Sequence, residues 1–259
     1  MKWMSVFLLL AWLSLPAQAA ELKEILQRGR LIVAVKDNLP PLGFRDQGGQ
    51  LQGLEIDIAR QLAKELFGTE TAVEFKPVAN VDRLETVLTG QADLAIANLT
   101  ATAGRYRLVN FTAPYYFTGT GILTKGKSLQ RLTDLNHRPV AVLQGSSAIA
   151  QLRFLLPNVK LVGVNSYQEA KTKLDRGEVG AVAADSTVLT GWRQTATNYY
   201  LFPTLLSADP LAIAFPKGVQ FQDLQIRLQQ ILDRWQKEGW LAERIRYWGL
   251  SNGTRPSRP

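Results

Sequence analysis

Ala92-Asp93-Leu94-Ala95-Ile96-Ala97-Asn98-Leu99-Thr100-Ala101-Thr102-Ala103-Gly104-Arg105 is the stretch whose reading decides this fold. An apolar run from Ala92 to Ala97 gives way to amide and hydroxyl side chains, with an arginine a few residues on. A short apolar run of this kind reads as a buried strand. Its polar end offers backbone N–H groups, the Thr100 hydroxyl and a guanidinium whose planar fork matches a carboxylate. The stretch therefore reads as a strand end built to hold an anion.

Working outward, strand-like and helix-like segments alternate, which predicts an α/β fold with mostly parallel sheet. Upstream, Leu31 to Val35 reads as a buried strand. A turn over Asn38 to Gly53 follows, then an amphipathic helix with Leu54, Ile58, Leu62 and Leu66 on one face. Val73 to Phe75 is a second strand, Val81, Leu84 and Leu88 mark a short helix stopped by Gly90, and Leu94 to Ala97 is the third strand. Downstream the cycle repeats. Val140 to Leu143 is a strand, Gly145-Ser146-Ser147 a turn and helix start, and Lys160 to Val164 another strand. Ser166-Tyr167-Gln168-Glu169 reads as a capping box for a helix to Arg176, stopped by Gly177. Ala181 to Ala184 is a strand with Asp185 at its end.

This order predicts two lobes: residues 20–116, then 117–207, with 208–250 returning to the first. Phe111 to Leu123 carries the chain across and Leu211 to Phe215 carries it back. A terminal helix with Leu224, Leu228, Ile231, Leu232 and Trp235 on one face then packs on the first lobe. Residues 251–259 read as a disordered tail.

Composition narrows the function. The 259 residues are 46% apolar, enough for real cores, and carry a formal charge of +8. Lys2, the apolar run Val6 to Leu15 and Pro16-Ala17-Gln18-Ala19 read as a cleavable signal peptide over residues 1–19. The run is far short of the ~20 residues a spanning helix needs. With no cysteine there is no disulfide, no thiolate metal site and no lipid-modified N-terminal cysteine. The expectation is an exported, soluble monomer without metal or cofactor. No nucleic-acid motif accompanies the basic balance, so part of the excess is expected in a binding cleft.

In open α/β sheets, ligands sit beyond the carboxyl ends of the strands. In the first lobe those ends carry Lys36, Asn80 with Arg83, and Asn98 with Thr100. In the second they carry Ser147, Tyr167 and Asp185. An α-amino acid would put its carboxylate on Arg105 and Thr100 and its ammonium on Asp185. Lys36, Arg83 and Arg105 against Asp185 leave two positive charges, which an acidic side chain reduces. Each residue also has an ordinary reading: Lys36 paired with Asp37, Arg83 with Glu85 or Glu55, Arg105 on the surface, and Asp185 capping the helix at Ser186.

At these positions the chain resembles the polar amino-acid-binding proteins of ABC importers, solute-binding protein family 3. The blocks are Leu31 to Lys36, Pro40 to Phe44, Gly53 to Ala59, Gly90 to Leu94, Asn98 to Arg105, Phe111 to Tyr116, Gln144 to Ser147 and Ala181 to Asp185. The resemblance implies a two-lobed type II periplasmic-binding-protein fold with a ligand cleft between lobes. It also implies a periplasmic receptor that closes over an amino acid and delivers it to a membrane permease. By position it implies Arg105 and Thr100 as α-carboxylate binders, Asp185 as ammonium acceptor and Ser147 as a contacting hydroxyl. Lys36 and Arg83 would hold a side-chain carboxylate beside Tyr167, as in the aspartate/glutamate-binding branch, with glutamine the alternative. The chain departs from the family's Thr-Pro-Glu-Arg with Thr102-Ala103-Gly104-Arg105. Leu42 and Asn80 stand where aromatic or apolar residues are common, which favours a small polar side chain. A dehydratase or sensor on the same fold is the other alternative. Catalysis is not expected, because the one histidine, His137, lies in a polar turn and no Gly-x-Ser-x-Gly elbow exists.

Overall fold

A computed structural model describes residues 19–250 apart from 130, 137 and 197. The residues read as a signal peptide (save Ala19), His137 and residues 251–259 lie outside the described residues. No described helix is long and apolar enough to cross a membrane.

Two five-stranded sheets organise the chain. The first runs Val73–Pro77, Leu31–Val35, Leu94–Ile96, Ala214–Phe215 and Asn110–Phe111. Its first three strands are parallel, with Val33 opposite Phe75 on one side and Leu94 on the other. The second runs Lys160–Val164, Pro139–Leu143, Ala181–Asp185, Thr120–Lys125 and Tyr199–Leu201, again with three parallel strands. Leu31, Val33, Ala34, Val35, Leu94, Ala95 and Ile96 are all buried, as strands covered on both faces require.

Between the sheets, Tyr116–Thr118 pairs antiparallel with Asp209–Leu211, one strand leaving the first lobe and the other returning. Backbone crowding fixes this crossing. A Cβ on Gly119 would sit 2.2 Å from the Ser207 carbonyl oxygen. The helix Gln222–Glu238 buries Leu224, Leu228, Ile231, Leu232 and Trp235 at the spacing read from the sequence. It is tied to the helix Leu54–Phe67 through Glu65, which pairs with Arg234 and accepts from the Trp235 indole at 3.2 Å. Each of these buried apolar side chains contributes roughly 1.5–3 kcal/mol.

Two local expectations change. The short helix runs Arg83–Leu88 and buries Arg83, Thr86 and Val87, whereas Val81 and Leu88 are exposed. Six residues are too few for hydrophobic periodicity to choose a face. At the other helix, Ser166 accepts from the Glu169 amide, but the Glu169 carboxylate takes the Asn165 amide, so the capping box is shifted by one residue.

Candidate functional site

The carboxyl ends of the two parallel sheets face one another, and hydrogen bonds cross between them. Asn98 Nδ2 donates to Asp185 at 2.6 Å, and Arg105 Nη2 donates to the Gly145 carbonyl at 2.9 Å. Asn80 Nδ2 donates to the Gln144 carbonyl at 2.6 Å, and the Thr100 and Ser147 hydroxyls stand 3.4 Å apart. Tyr167 adds its hydroxyl to Asp185 at 3.1 Å. These contacts join seven of the nine residues singled out from the sequence: Asn80, Asn98, Thr100, Arg105, Ser147, Tyr167 and Asp185. Two cavities of about 410 Å³ (lined by Lys125, Arg138 and Arg176) and 270 Å³ (lined by Pro40, Trp192 and Trp248) share none of these residues.

Lys36 and Arg83 are buried and Arg105 is partly exposed, and among the described residues all three side chains donate to backbone carbonyls. Arg83, 3% exposed, donates from Nε to the Asn80 carbonyl at 2.8 Å and from Nη1 to those of Ala97 and Asn98 at 3.0 and 2.6 Å. Burial, reinforced by the nearby Arg105 charge, lowers its pKa to about 10, so it stays charged at neutral pH. Lys36, 6% exposed, donates to the Val78 carbonyl at 2.8 Å, and burial followed by Arg83 lowers its pKa. Arg105 Nη1 donates to the Thr100 carbonyl at 2.8 Å, and burial lowers its pKa too. Asp37, the ordinary partner expected for Lys36, pairs with Arg45 instead, at 3.3 Å. Asp185 precedes the helix Ser186–Thr195 without capping it through its side chain.

Sequence reasoning missed Glu55. It is 0% exposed, and its Oε1 accepts both the Asn98 amide at 2.6 Å and the Tyr115 hydroxyl at 2.5 Å. Oε2 is buried without a partner. Burial lifts its pKa to about 7, against the opposing pull of those two donors, Arg83 and Lys36. The signal was present: Glu55, Ile58, Ala59 and Leu62 fall at i, i+3, i+4 and i+7, a single helix face, and the last three are buried. Glu55 also fixes Asn98, whose φ of 50° is left-handed, a conformation that asparagine tolerates better than most residues. Asp185 has its pKa raised by burial.

With this geometry in hand, comparison decides the family. The profile of bacterial extracellular solute-binding proteins, family 3, matches residues 31–251. The chain belongs to that family. Among family 3 relatives, the glutamine-binding protein of Geobacillus stearothermophilus is 32% identical over 199 residues, covering 76% of each chain. The solute receptor for L-cysteine of Neisseria gonorrhoeae superposes with a TM-score of 0.83 at 29% identity, covering 88% of this chain and 93% of that one. An ancestral amino acid-binding protein, a precursor of cyclohexadienyl dehydratase, superposes with a TM-score of 0.79 at 28% identity, covering 88% of this chain and 98% of that one. The two-lobed α/β fold expected from the order of elements is the fold of this family 3 protein.

Proposed function

We propose that this family 3 protein is a periplasmic receptor that closes over a polar amino acid, glutamate or aspartate, and delivers it to the permease of an ABC importer. In this reading residues 20–116 and 208–250 form the first lobe and 117–207 the second. The observation that supports it is the set of contacts between the two sheets' carboxyl ends, Thr100 with Ser147, Arg105 with the Gly145 carbonyl and Asn98 with Asp185. Arg105 and Thr100 take the α-carboxylate. Asp185, held by Asn98 and Tyr167, takes the ammonium. Lys36 and Arg83 take the side-chain carboxylate, and Asn80 closes over the entrance with Gln144.

Charge supports the acidic ligand. Lys36, Arg83 and Arg105 against Asp185 leave two positive charges, of which an amino acid of net charge −1 cancels one. Burying charge without compensation is costly, so a neutral amino acid is the poorer fit. The 32% identical glutamine-binding relative favours glutamine as the second reading. A transport role without catalysis also accords with relatives named as binding proteins.

Calorimetric titration with glutamate, aspartate, glutamine, histidine and arginine tests the proposal. Glutamate or aspartate is expected to bind at least ~100-fold more tightly than histidine or arginine, since an unmatched buried charge costs several kcal/mol. Equal or tighter binding of glutamine replaces the first reading with the second. Binding of arginine alone would sink both.

A further inference from the structure

The buried carboxyl beneath the cleft has a role that none of the assigned contacts gives it. Glu55 is wholly enclosed, yet no cation reaches hydrogen-bond distance of it among the described residues. One oxygen carries both donors and the other carries none. The groups around it come from four separate elements. Tyr115 stands beside the crossing strand, Asn98 ends the strand Leu94–Ile96, Arg83 opens the helix Arg83–Leu88, and Lys36 ends the strand Leu31–Val35. Asp185 acts through the field it exerts on Tyr115. Two cations and two hydrogen bonds favour the carboxylate. Enclosure and the orphan oxygen favour the neutral acid, because an unpaired polar atom costs more when it bears charge.

We propose that Glu55 is a proton-binding specificity residue, negative in the empty cleft and neutralised by a proton from solvent when an acidic amino acid docks above it. The inference rests on reading the crevice as an amino-acid site. A ligand of net charge −1 joins the same buried set of cations and removes what favours the carboxylate, so one solvent proton adds to Oε2 and none is released elsewhere. Glutamine brings no such charge and leaves Glu55 as it was. Binding of the acid therefore carries a proton with it, which sets acidic ligands apart from neutral ones.

The sign follows from linkage. Where the bound state holds more protons than the free state, affinity falls as pH rises. Below pH 7 Glu55 is mostly protonated in both states and glutamate affinity is flat. Above it, affinity falls by up to about tenfold per pH unit until the bound-state pKa is passed.

The test is calorimetry of the mature protein at pH 7.5 with glutamate and with glutamine, each in phosphate and in Tris, whose ionisation heats differ. Glutamate is expected to take up as much as ~0.75 proton per site, the deficit left by a group titrating near 7; glutamine is expected to take up none. Glu55→Gln should abolish the uptake and flatten the pH dependence of glutamate affinity. Tyr115→Phe, which removes a donor to the carboxylate, should move the onset of the fall to higher pH and serves if the first variant does not fold. Glutamate binding without proton uptake overturns the inference and leaves the receptor reading intact. Uptake unchanged in Glu55→Gln overturns it as well. Binding of neutral amino acids with no glutamate binding overturns the acidic-ligand reading and this inference together, an outcome distinct from the other two.

Discussion

The two ends of the first sheet handle charge in opposite ways. At the amino ends of its strands opposite charges meet: Arg28 pairs with Asp93, whose carboxylate also takes the Ile32 amide at 2.7 Å, and Arg30 pairs with Glu74 at 3.0 Å. At the carboxyl ends the same kinds of side chain are kept apart. Lys36, Arg83 and Arg105 donate to backbone carbonyls, while Glu55 and Asp185 accept from neutral amides and hydroxyls. Pairing at one end closes the strand starts. Separation at the other leaves these groups interacting only through their fields, without direct ion pairs among the described residues. A buried ion pair is a finished interaction, whereas a buried cation held by carbonyl dipoles can still accept an anion.

Breaking the separated end should cost binding before it costs stability. Arg105→Ala is expected to abolish detectable binding of every amino acid, a loss of more than ~100-fold for a bidentate charged contact. Its melting temperature should shift by only a few degrees, because the side chain is partly exposed. Calorimetry with thermal melts checks both. Lys36→Met combined with Arg83→Met is expected to cost glutamate at least ~30-fold more than glutamine, since only the acid uses both charges. Equal losses for the two ligands would return the Lys36–Arg83 pair to a structural role.

The paired end should behave the other way. Asp93→Asn leaves Arg28 without its anionic partner, though still on the Arg30 carbonyl, and weakens the acceptor of the Ile32 amide, so stability should fall by about 1–3 kcal/mol. Ligand affinity should change by less than ~2-fold, since Asp93 lies at the opposite edge of the sheet. Urea melts and one titration decide. Glu55 gives the contrasting pH signature. Its pKa is about 7 when folded and about 4.5 for a freely solvated glutamate, so between those values the native state holds more protons than the unfolded one. Stability contributed by this group therefore falls as pH rises from 4.5 to 7 and levels off above, by on the order of 3 kcal/mol in all. Glu55→Gln should remove that slope.

Much of this was legible in the chain. Long elements declared themselves by period: Leu224, Leu228, Ile231, Leu232 and Trp235 are buried as their spacing demands. The meeting of Asn98 and Thr100 with Asp185 and Ser147 was legible because the topology sends the carboxyl ends of the parallel strands to the same place. Glu55 was not, although its helix face was readable, because an acidic residue is normally assigned to solvent whatever its phase. The face of Arg83–Leu88 was not legible either, since a single helical turn and a half carries too little periodicity to outvote a buried arginine anchored on Ala97 and Asn98.

The smallest expected effect probes where the lobes touch. Ser147 stands 3.4 Å from Thr100, at the outer edge of hydrogen bonding, so that contact alone contributes little. If the serine hydroxyl instead serves the main-chain part of an enclosed amino acid, Ser147→Ala loses one hydrogen bond of about 0.5–1.5 kcal/mol. That corresponds to a loss of roughly two- to tenfold in affinity. The loss should be the same for glutamate, aspartate and glutamine, because the α-carboxylate and ammonium are common to all three. A loss confined to one ligand would place Ser147 beside the side chain, together with Lys36 and Arg83, and would reverse the orientation in which the amino acid lies across the cleft.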